Sequence, residues 1–174
     1  MRGCLVFSFI CVWVTNGYSQ NTIDDSSNLK QHQLFRSIEI GIPENVGRLE
    51  TNKEVVEKMG FADFSSTDKK IGIKIREMTE ADLSEIKDSM DGLATSLYNG
   101  TILTSEVIQI NGIDFFVTDI KGQWNGRGDT IGMFRYYFNA KGNCYNLWMR
   151  YPVDLINKTT DLKKRMLQSI KIIR

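Results

Sequence analysis

The dipeptide Asn111–Gly112 separates two runs rich in apolar and β-branched residues, 101–110 and 113–121. Asn-Gly is the pair that a two-residue β-hairpin turn prefers, because both turn positions need a positive φ angle. This segment is therefore predicted to be an antiparallel hairpin, with which the rest of the fold must be compatible. The predicted cross-strand pairs are Ile110 with Ile113, Ile108 with Phe115, and Glu106 with Val117.

A second hairpin is predicted from 130–138 to 144–151, with the residues NAKGN between its strands. An antiparallel sheet with one face in solvent alternates apolar and polar residues, whereas both faces are largely apolar here. We therefore expect helices to cover both faces of the sheet. The residues predicted on one face are Phe134, Tyr136, Phe138 and Trp148, and those on the other are Ile131, Met133, Leu147, Met149 and Tyr151.

Further strands and helices follow from periodicity and end signals. The sequence predicts an α+β fold, an α/β/α sandwich with a central antiparallel sheet of five to seven strands covered by helices on both faces. The supporting patterns are alternating isoleucines at 38–42 and 71–75, a short helix between Asn52 and Gly60, a longer helix from an approximate capping box at Thr79 and Asp82 to Asn99–Gly100, and a last helix capped by Thr159 or Thr160.

The first 19 residues have the order of a secretory signal peptide, with one basic residue, an apolar run and a small-residue end. Cleavage is predicted between Ser19 and Gln20, and export to the periplasm or the extracellular space follows. An uncleaved membrane anchor is the alternative. Residues 20–33 are predicted to be a flexible polar leader, and residues 34–174 a single globular domain.

The order of these elements resembles the PsbP-like superfamily, whose founders are an extrinsic photosystem II subunit and a Ran-binding nuclear import factor. The resemblance rests on IEIGIP at 38–43, the strand and capped helix over 71–98, the aromatic strand ending in Tyr151–Pro152, and LQSIKII at 167–173. A tryptophan common after the early proline is absent here. The resemblance implies an α/β/α sandwich and transfers no catalytic residue.

The charge balance and the reactive side chains exclude several classes of function. The chain has 22 basic and 21 acidic residues, and cleavage would remove Arg2, so the mature chain would have equal numbers of basic and acidic residues. Binders of nucleic acid or of anionic membrane surfaces usually show a basic surplus, so neither is expected. The only histidine, His32, lies in the predicted leader and is expected to be exposed, while Cys144 is expected to be a small buried apolar residue. No catalytic residue, metal site or cofactor is predicted.

The glycine-rich loop Gly122–Asp129 is the predicted binding site. An exposed tryptophan favours contact with a partner or a sugar ring, and nearby charged groups add directional hydrogen bonds. The alternative is a loop folded back onto the domain. The candidate binding residues are Trp124, Asn125, Arg127 and Asp129.

These features favour an exported, non-catalytic accessory domain that binds a protein or a small ligand. Two alternatives remain, a hydrolase using dispersed carboxylates and a membrane-tethered interaction protein if the signal is retained.

Overall fold

The computed structural model describes residues 23–49, 52–123 and 128–173. The strands are β1 (Leu29–Leu34), β2 (Ile38–Pro43), β3 (Arg48–Leu49), β4 (Phe61–Ser65), β5 (Gly72–Thr79), β6 (Thr101–Ile110), β7 (Ile113–Gln123), β8 (Thr130–Ala140), β9 (Asn143–Pro152) and β10 (Lys171–Ile172). The helices are α1 (Lys53–Met59), α2 (Leu83–Ser96) and α3 (Thr160–Gln168), with short 3₁₀ helices at Glu44–Val46 and Val153–Lys158.

Within the described ranges the strands form two antiparallel sheets. The large sheet has seven strands in the order β3-β4-β5-β9-β8-β7-β6, and the small sheet has the order β1-β2-β10. Helix α2 packs on one face of the large sheet, while α3 and the small sheet pack on the other. The predicted α/β/α arrangement is confirmed, with the small sheet as an addition to one of the covering layers.

The first predicted hairpin has the expected register. Ile110 lies opposite Ile113 and Ile108 opposite Phe115, so the turn is Asn111–Gly112. Both turn residues have positive φ angles, 54° and 78°. This is the geometry that favours Asn-Gly over other pairs.

The predicted faces of the second hairpin are wrong. Lys141–Gly142 forms a two-residue turn, so Phe138 lies opposite Tyr145. A five-residue loop would have shifted the register by one residue, and such a shift exchanges the faces of a whole strand. Trp148 therefore lies on the face opposite Phe138. The residues that share the face of Phe138 are Phe134, Tyr136, Leu147, Met149 and Tyr151.

The flexible leader predicted for 20–33 is also wrong wherever the structure describes it. Strand β1 pairs with β2 from Leu29 to Leu34, and Ile23 is fully buried. The carboxylate of Asp25 accepts a hydrogen bond from the Leu162 amide at 2.9 Å, at the start of α3. Backbone pairing holds a half-exposed strand in place even when its outward side chains are polar, so polarity alone misled the prediction.

Two helix ends bear on the sequence predictions. Asn52 caps α1 through the amide of Glu54, and Gly60 ends that helix with a φ of 59°, as predicted. For α2 the cap is Asp82, which accepts from the Ser84 amide at 2.7 Å, in place of the approximate box from Thr79.

Within the described ranges, no helix has the length and apolarity needed to cross a membrane.

Candidate binding groove with a buried ion pair

The predicted binding loop is only partly described. Trp124, Asn125 and Arg127 lie outside the described residues. Asp129 is exposed and lies in a depression of about 560 Å³, beside the basic residues Lys69 and Arg150. The structure therefore places one of the four predicted residues at a concave surface.

A larger groove, of about 730 Å³, lies between α3 and the strands β6, β7 and β8. Volumes of this size are typical of ligand-binding clefts. The 3₁₀ helix Val153–Lys158 lines the same groove. Its apolar lining includes Ile108, Ile110, Phe134, Ile156 and Leu167.

The base of the groove contains a buried carboxylate, Asp119 on β7. Alternation along β7 places it on the same face as Phe115 and Val117, which belong to the core. Its Oδ2 atom lies 2.5 Å from Nζ of Lys163, which α3 brings down from the other side of the groove. Both side chains are almost completely buried, with exposed fractions of 12% for Asp119 and 8% for Lys163.

Tyr151 on β9 completes this cluster. Its hydroxyl donates to Oδ1 of Asp119 at 2.8 Å, although β8 lies between their two strands. The tyrosine crosses β8 at Gly132, its cross-strand neighbour, where a Cβ atom would overlap the tyrosine ring. Only glycine lets the ring pass over this strand and reach the carboxylate.

The electrostatics of the cluster are locally balanced. One carboxylate faces one ammonium group, whose Nζ also lies 4.8 Å from the ring centre of Tyr151 and 5.5 Å from that of Phe134. Burial, and then the neighbouring carboxylate, raise the pKa of Tyr151, so its hydroxyl keeps its proton and remains a donor. Because each oxygen of Asp119 already accepts a hydrogen bond, the base of the groove is neutral and satisfied. Such a surface is suited to packing against a bound chain.

One wall of the groove is strand β6, which lies at the end of the large sheet. In the described part of the chain no strand pairs with its outer edge. Its sequence, TILTSEVIQI, contains one charged residue, Glu106, and neither lysine nor proline. Leu103, at a bulge in this strand, and Val107 are 45% and 50% exposed. Exposed edges of this composition pair readily with another strand.

Sequence reasoning missed this groove, although a signal was present. Asp119 and Lys163 each occupy an inward position, Asp119 in an apolar strand and Lys163 within the apolar stripe of α3. Charges at such positions are paired in folded proteins, because an unpaired buried charge is very costly. Two inward charges of opposite sign thus predict a buried pair.

The cysteine and the histidine named in the sequence analysis lie outside the groove. Cys144 is fully buried, as predicted, but lies in the core under α2, on the face opposite Phe138. Burial raises the pKa of its thiol to about 11, which keeps it protonated and unreactive.

His32 is half-buried against Phe64, with ring centres 4.9 Å apart, and is therefore not the fully exposed residue expected. Among the described residues, no group of three or more His, Cys, Asp or Glu side chains could hold a metal ion.

Comparison with solved structures identifies the fold. The cyanobacterial PsbP protein (CyanoP) from Synechocystis sp. PCC 6803 aligns with a TM-score of 0.60 at 8% identity, over 84% of this chain and 93% of that chain. The PsbP-like fold is confirmed. LpqN, described as involved in cell envelope biogenesis of Mycobacterium tuberculosis, aligns with a TM-score of 0.51 at 12% identity, over 79% of this chain and 83% of that chain.

A third match is PA94, a protein of unknown function from Pseudomonas aeruginosa. It aligns with a TM-score of 0.50 at 11% identity, over 82% of this chain and 95% of that chain. No family model and no curated protein sequence matches the chain. At these identities the likeness concerns the fold, and function must be argued from the groove.

Proposed function

We propose that the chain is an exported, non-catalytic accessory domain that binds an extended segment of a partner protein along β6, with side chains of that segment in the groove. The observation that carries this proposal is the outer edge of β6, with which no described strand pairs, beside a groove of about 730 Å³. An edge strand and a neighbouring groove together support β-strand addition, in which backbone hydrogen bonds supply affinity and alternate side chains supply specificity.

The lining of the groove suggests the chemistry of the segment. Its apolar side chains would accept every second side chain of an added strand, because strand side chains alternate between faces. Lys121 and Lys164 also line the groove, and neither makes an ion pair with a described residue. The preferred segment therefore has apolar residues at every second position, which face the groove, and at least one acidic residue.

Export is the second part of the proposal. It is supported by the signal-peptide pattern of the first 19 residues and agrees with the envelope role in the description of LpqN. The intact mass of the chain recovered from the producing cells tests whether the signal is cleaved. A chain beginning near Gln20 would support cleavage and export, whereas one beginning near Met1 would contradict cleavage.

Site-specific photocrosslinking tests the strand-addition site in the exported fraction. A photoreactive phenylalanine analogue at Gln109, which is exposed and lines the groove, should crosslink to one segment of one partner. The same analogue at Met59, a 72% exposed position on α1, should not. Equal crosslinking at the two positions, or none at Gln109, would contradict the proposal.

Leu103→Lys supplies the matched loss-of-binding variant. A lysine on an edge strand opposes pairing with a further strand, while a substitution at a half-exposed position changes stability little. We expect the Gln109 crosslink to disappear in Leu103→Lys and to persist in Met59→Lys, which adds the same charge elsewhere. A synthetic peptide of the crosslinked segment should also slow hydrogen exchange at β6 amides. Protection limited to α3 would argue against strand addition.

A further inference from the structure

A second, smaller pocket lies on the other face of the large sheet, over β4, β5 and β9. Its volume is about 330 Å³, at the lower end of the range for small-molecule sites. We call it the Trp148 pocket; its main lining residues are Asp63, Lys69, Gly72, Lys74, Trp148 and Arg150. It is separate from the groove, since Trp148 lies on the face opposite Tyr151.

Glycine at position 72 shapes this pocket. Gly72 lies opposite Arg150 in the β5–β9 ladder, and a Cβ atom there would be 3.2 Å from Nε of the arginine. The missing side chain lets the arginine lie across the start of β5. From there its guanidinium donates to the backbone oxygen of Lys69 at 3.4 Å, which brings both basic residues to the same rim.

The loop that carries Lys69 is held in one conformation. The hydroxyl of Ser66 donates to the carboxylate of Asp68 at 2.6 Å and accepts from the amide of Ile71 at 3.1 Å. Lys69 itself has a φ of 58° and ends a tight turn, in which its amide donates to the backbone oxygen of Ser66 at 2.9 Å. The rim is therefore built before a ligand arrives, which lowers the entropic cost of binding.

The charges of the Trp148 pocket are unbalanced. Lys74 is neutralised by Asp63 at 3.3 Å, whereas Lys69 and Arg150 make no ion pair with any described residue. Behind the tryptophan lies Arg135, whose guanidinium is 5.1 Å from the Trp148 ring centre. The pocket is thus surrounded by more positive than negative charge.

Arg135 adds to this excess from inside the protein. It is 9% exposed, and its described hydrogen-bond partners are neutral, the hydroxyl of Tyr98 and the sulfur of Met90. Its buried Nε atom has no hydrogen-bond partner among the described residues. A buried cation without a counter-ion leaves a positive potential that favours an anion nearby.

We propose that the Trp148 pocket binds the oxyanion group of a small ligand, a carboxylate or a phosphate, between Arg150 and Lys69. The arginine matches the planar geometry of such groups with paired donors, and the lysine adds a mobile point charge. Trp148 forms the apolar wall against which the rest of the ligand packs. The adjoining depression shares both basic residues but also contains Asp129 and Asp154, so the anion binds on the tryptophan side.

Titration of the purified chain with inorganic phosphate, and separately with citrate, tests this site. The probe is the Trp148 indole signal in proton–nitrogen spectra, assigned with Trp148→Phe, at constant ionic strength. We expect a saturable shift with at least one anion. Phosphate alone would identify a phosphoryl ligand, citrate alone a carboxylate ligand, and both a general oxyanion site. No saturable shift with either anion would overturn the proposal.

Variants distinguish a built site from general charge attraction. Arg150→Gln and Lys69→Gln should each weaken binding by about tenfold, the effect of losing one charge-assisted hydrogen bond. Lys58→Gln removes the same charge from an exposed position on α1 and should leave the affinity unchanged. If it weakens binding as much as Arg150→Gln does, the specific site is refuted.

Gly72→Ala separates geometry from charge. The added Cβ atom would lie 3.2 Å from Nε of the arginine, so that side chain must shift by a few tenths of an ångström, but no charge is lost. We expect an affinity between those of the wild type and Arg150→Gln. An affinity equal to the wild type would contradict the role given to Gly72.

Discussion

The two faces of the large sheet bury charge in opposite ways. Under α3, Asp119 and Lys163 neutralise each other at 2.5 Å, and Tyr151 satisfies the remaining carboxylate oxygen. Under α2, Arg135 is buried to a similar degree, but its described hydrogen-bond partners are the neutral groups of Tyr98 and Met90. One face thus buries a balanced ion pair, and the other buries a cation whose described hydrogen-bond partners are neutral.

This difference supports different ligands for the groove and the Trp148 pocket, which lie on opposite faces of the sheet. A balanced pair has little field beyond its own contacts, so the groove above it can accept an apolar segment. An unbalanced cation acts over a longer range, because the protein interior screens charge poorly. The base of the groove therefore favours apolar side chains, whereas the surroundings of the Trp148 pocket favour an anion.

Breaking the ion pair should produce the largest effect. Asp119→Asn leaves Lys163 buried without a counter-ion, and we expect a loss of about 3–5 kcal/mol in the free energy of unfolding. Urea denaturation measures this value. Asp119→Asn combined with Lys163→Met removes both charges and should recover much of the loss, since a buried pair is often replaceable by apolar groups. A double variant no better than the single one would show that the charges are not coupled.

Tyr151→Phe should have the next largest effect. It removes a hydrogen bond to a charged acceptor and leaves the ring packing in place, so we expect a loss of about 2 kcal/mol. The same denaturation experiment measures it. A loss below about 0.5 kcal/mol would mean that the hydroxyl adds little to the cluster.

Arg135→Met should change stability by less than about 1 kcal/mol in either direction. It removes the hydrogen bonds to Tyr98 and Met90 but also the cost of burying a charge, and it leaves no described carboxylate without its partner. The free energy of unfolding of this variant is compared with that of Asp119→Asn under identical conditions. A loss as large as that of Asp119→Asn would contradict the proposed difference between the two faces, because it would mean that Arg135 has an anionic partner.

His32 should give the smallest effect, visible only as a pH dependence. Burial, and then nearby Lys30, lower the pKa of this histidine below its ordinary value of 6.5. The unfolded chain then binds the proton more strongly than the folded chain, so stability is full above about pH 6.5 and falls as the pH decreases below it. The unfolding free energy of wild type and His32→Gln, measured from pH 8 to pH 5, isolates this contribution. A wild-type curve that runs parallel to that of the variant would contradict the lowered pKa.

Local signals predicted the elements that depend on local chemistry. The Asn111–Gly112 turn, the Asn52 cap and the alternation of β2 and β5 each follow from a few adjacent residues, and each is confirmed. The second hairpin failed by one residue because Lys141–Gly142 is a weaker turn signal than Asn-Gly. That single residue determines whether Trp148 lies on the face of Phe138, as predicted, or on the opposite face, as observed.

The candidate sites depend on contacts between distant parts of the chain. Asp119 and Lys163 are 44 positions apart, and Arg150 reaches the loop of Lys69 across 81 positions. Spacing in the sequence carries no record of such pairs. The sequence does show a charged residue at an otherwise apolar position, at both Asp119 and Lys163.

The pairing of β5 with β9 has a consequence for how the chain reaches its native state. These strands are neighbours at the centre of the large sheet, yet α2, β6, β7 and β8 separate them along the chain. The central pairing of β5 with β9 cannot form until residues up to Pro152 are present. Nonlocal pairings of this kind slow folding. A chain translocated N-terminus first would therefore remain unfolded during export and complete the large sheet only after β9 has crossed the membrane. The strand order that makes folding late is thus compatible with the export proposed for this protein.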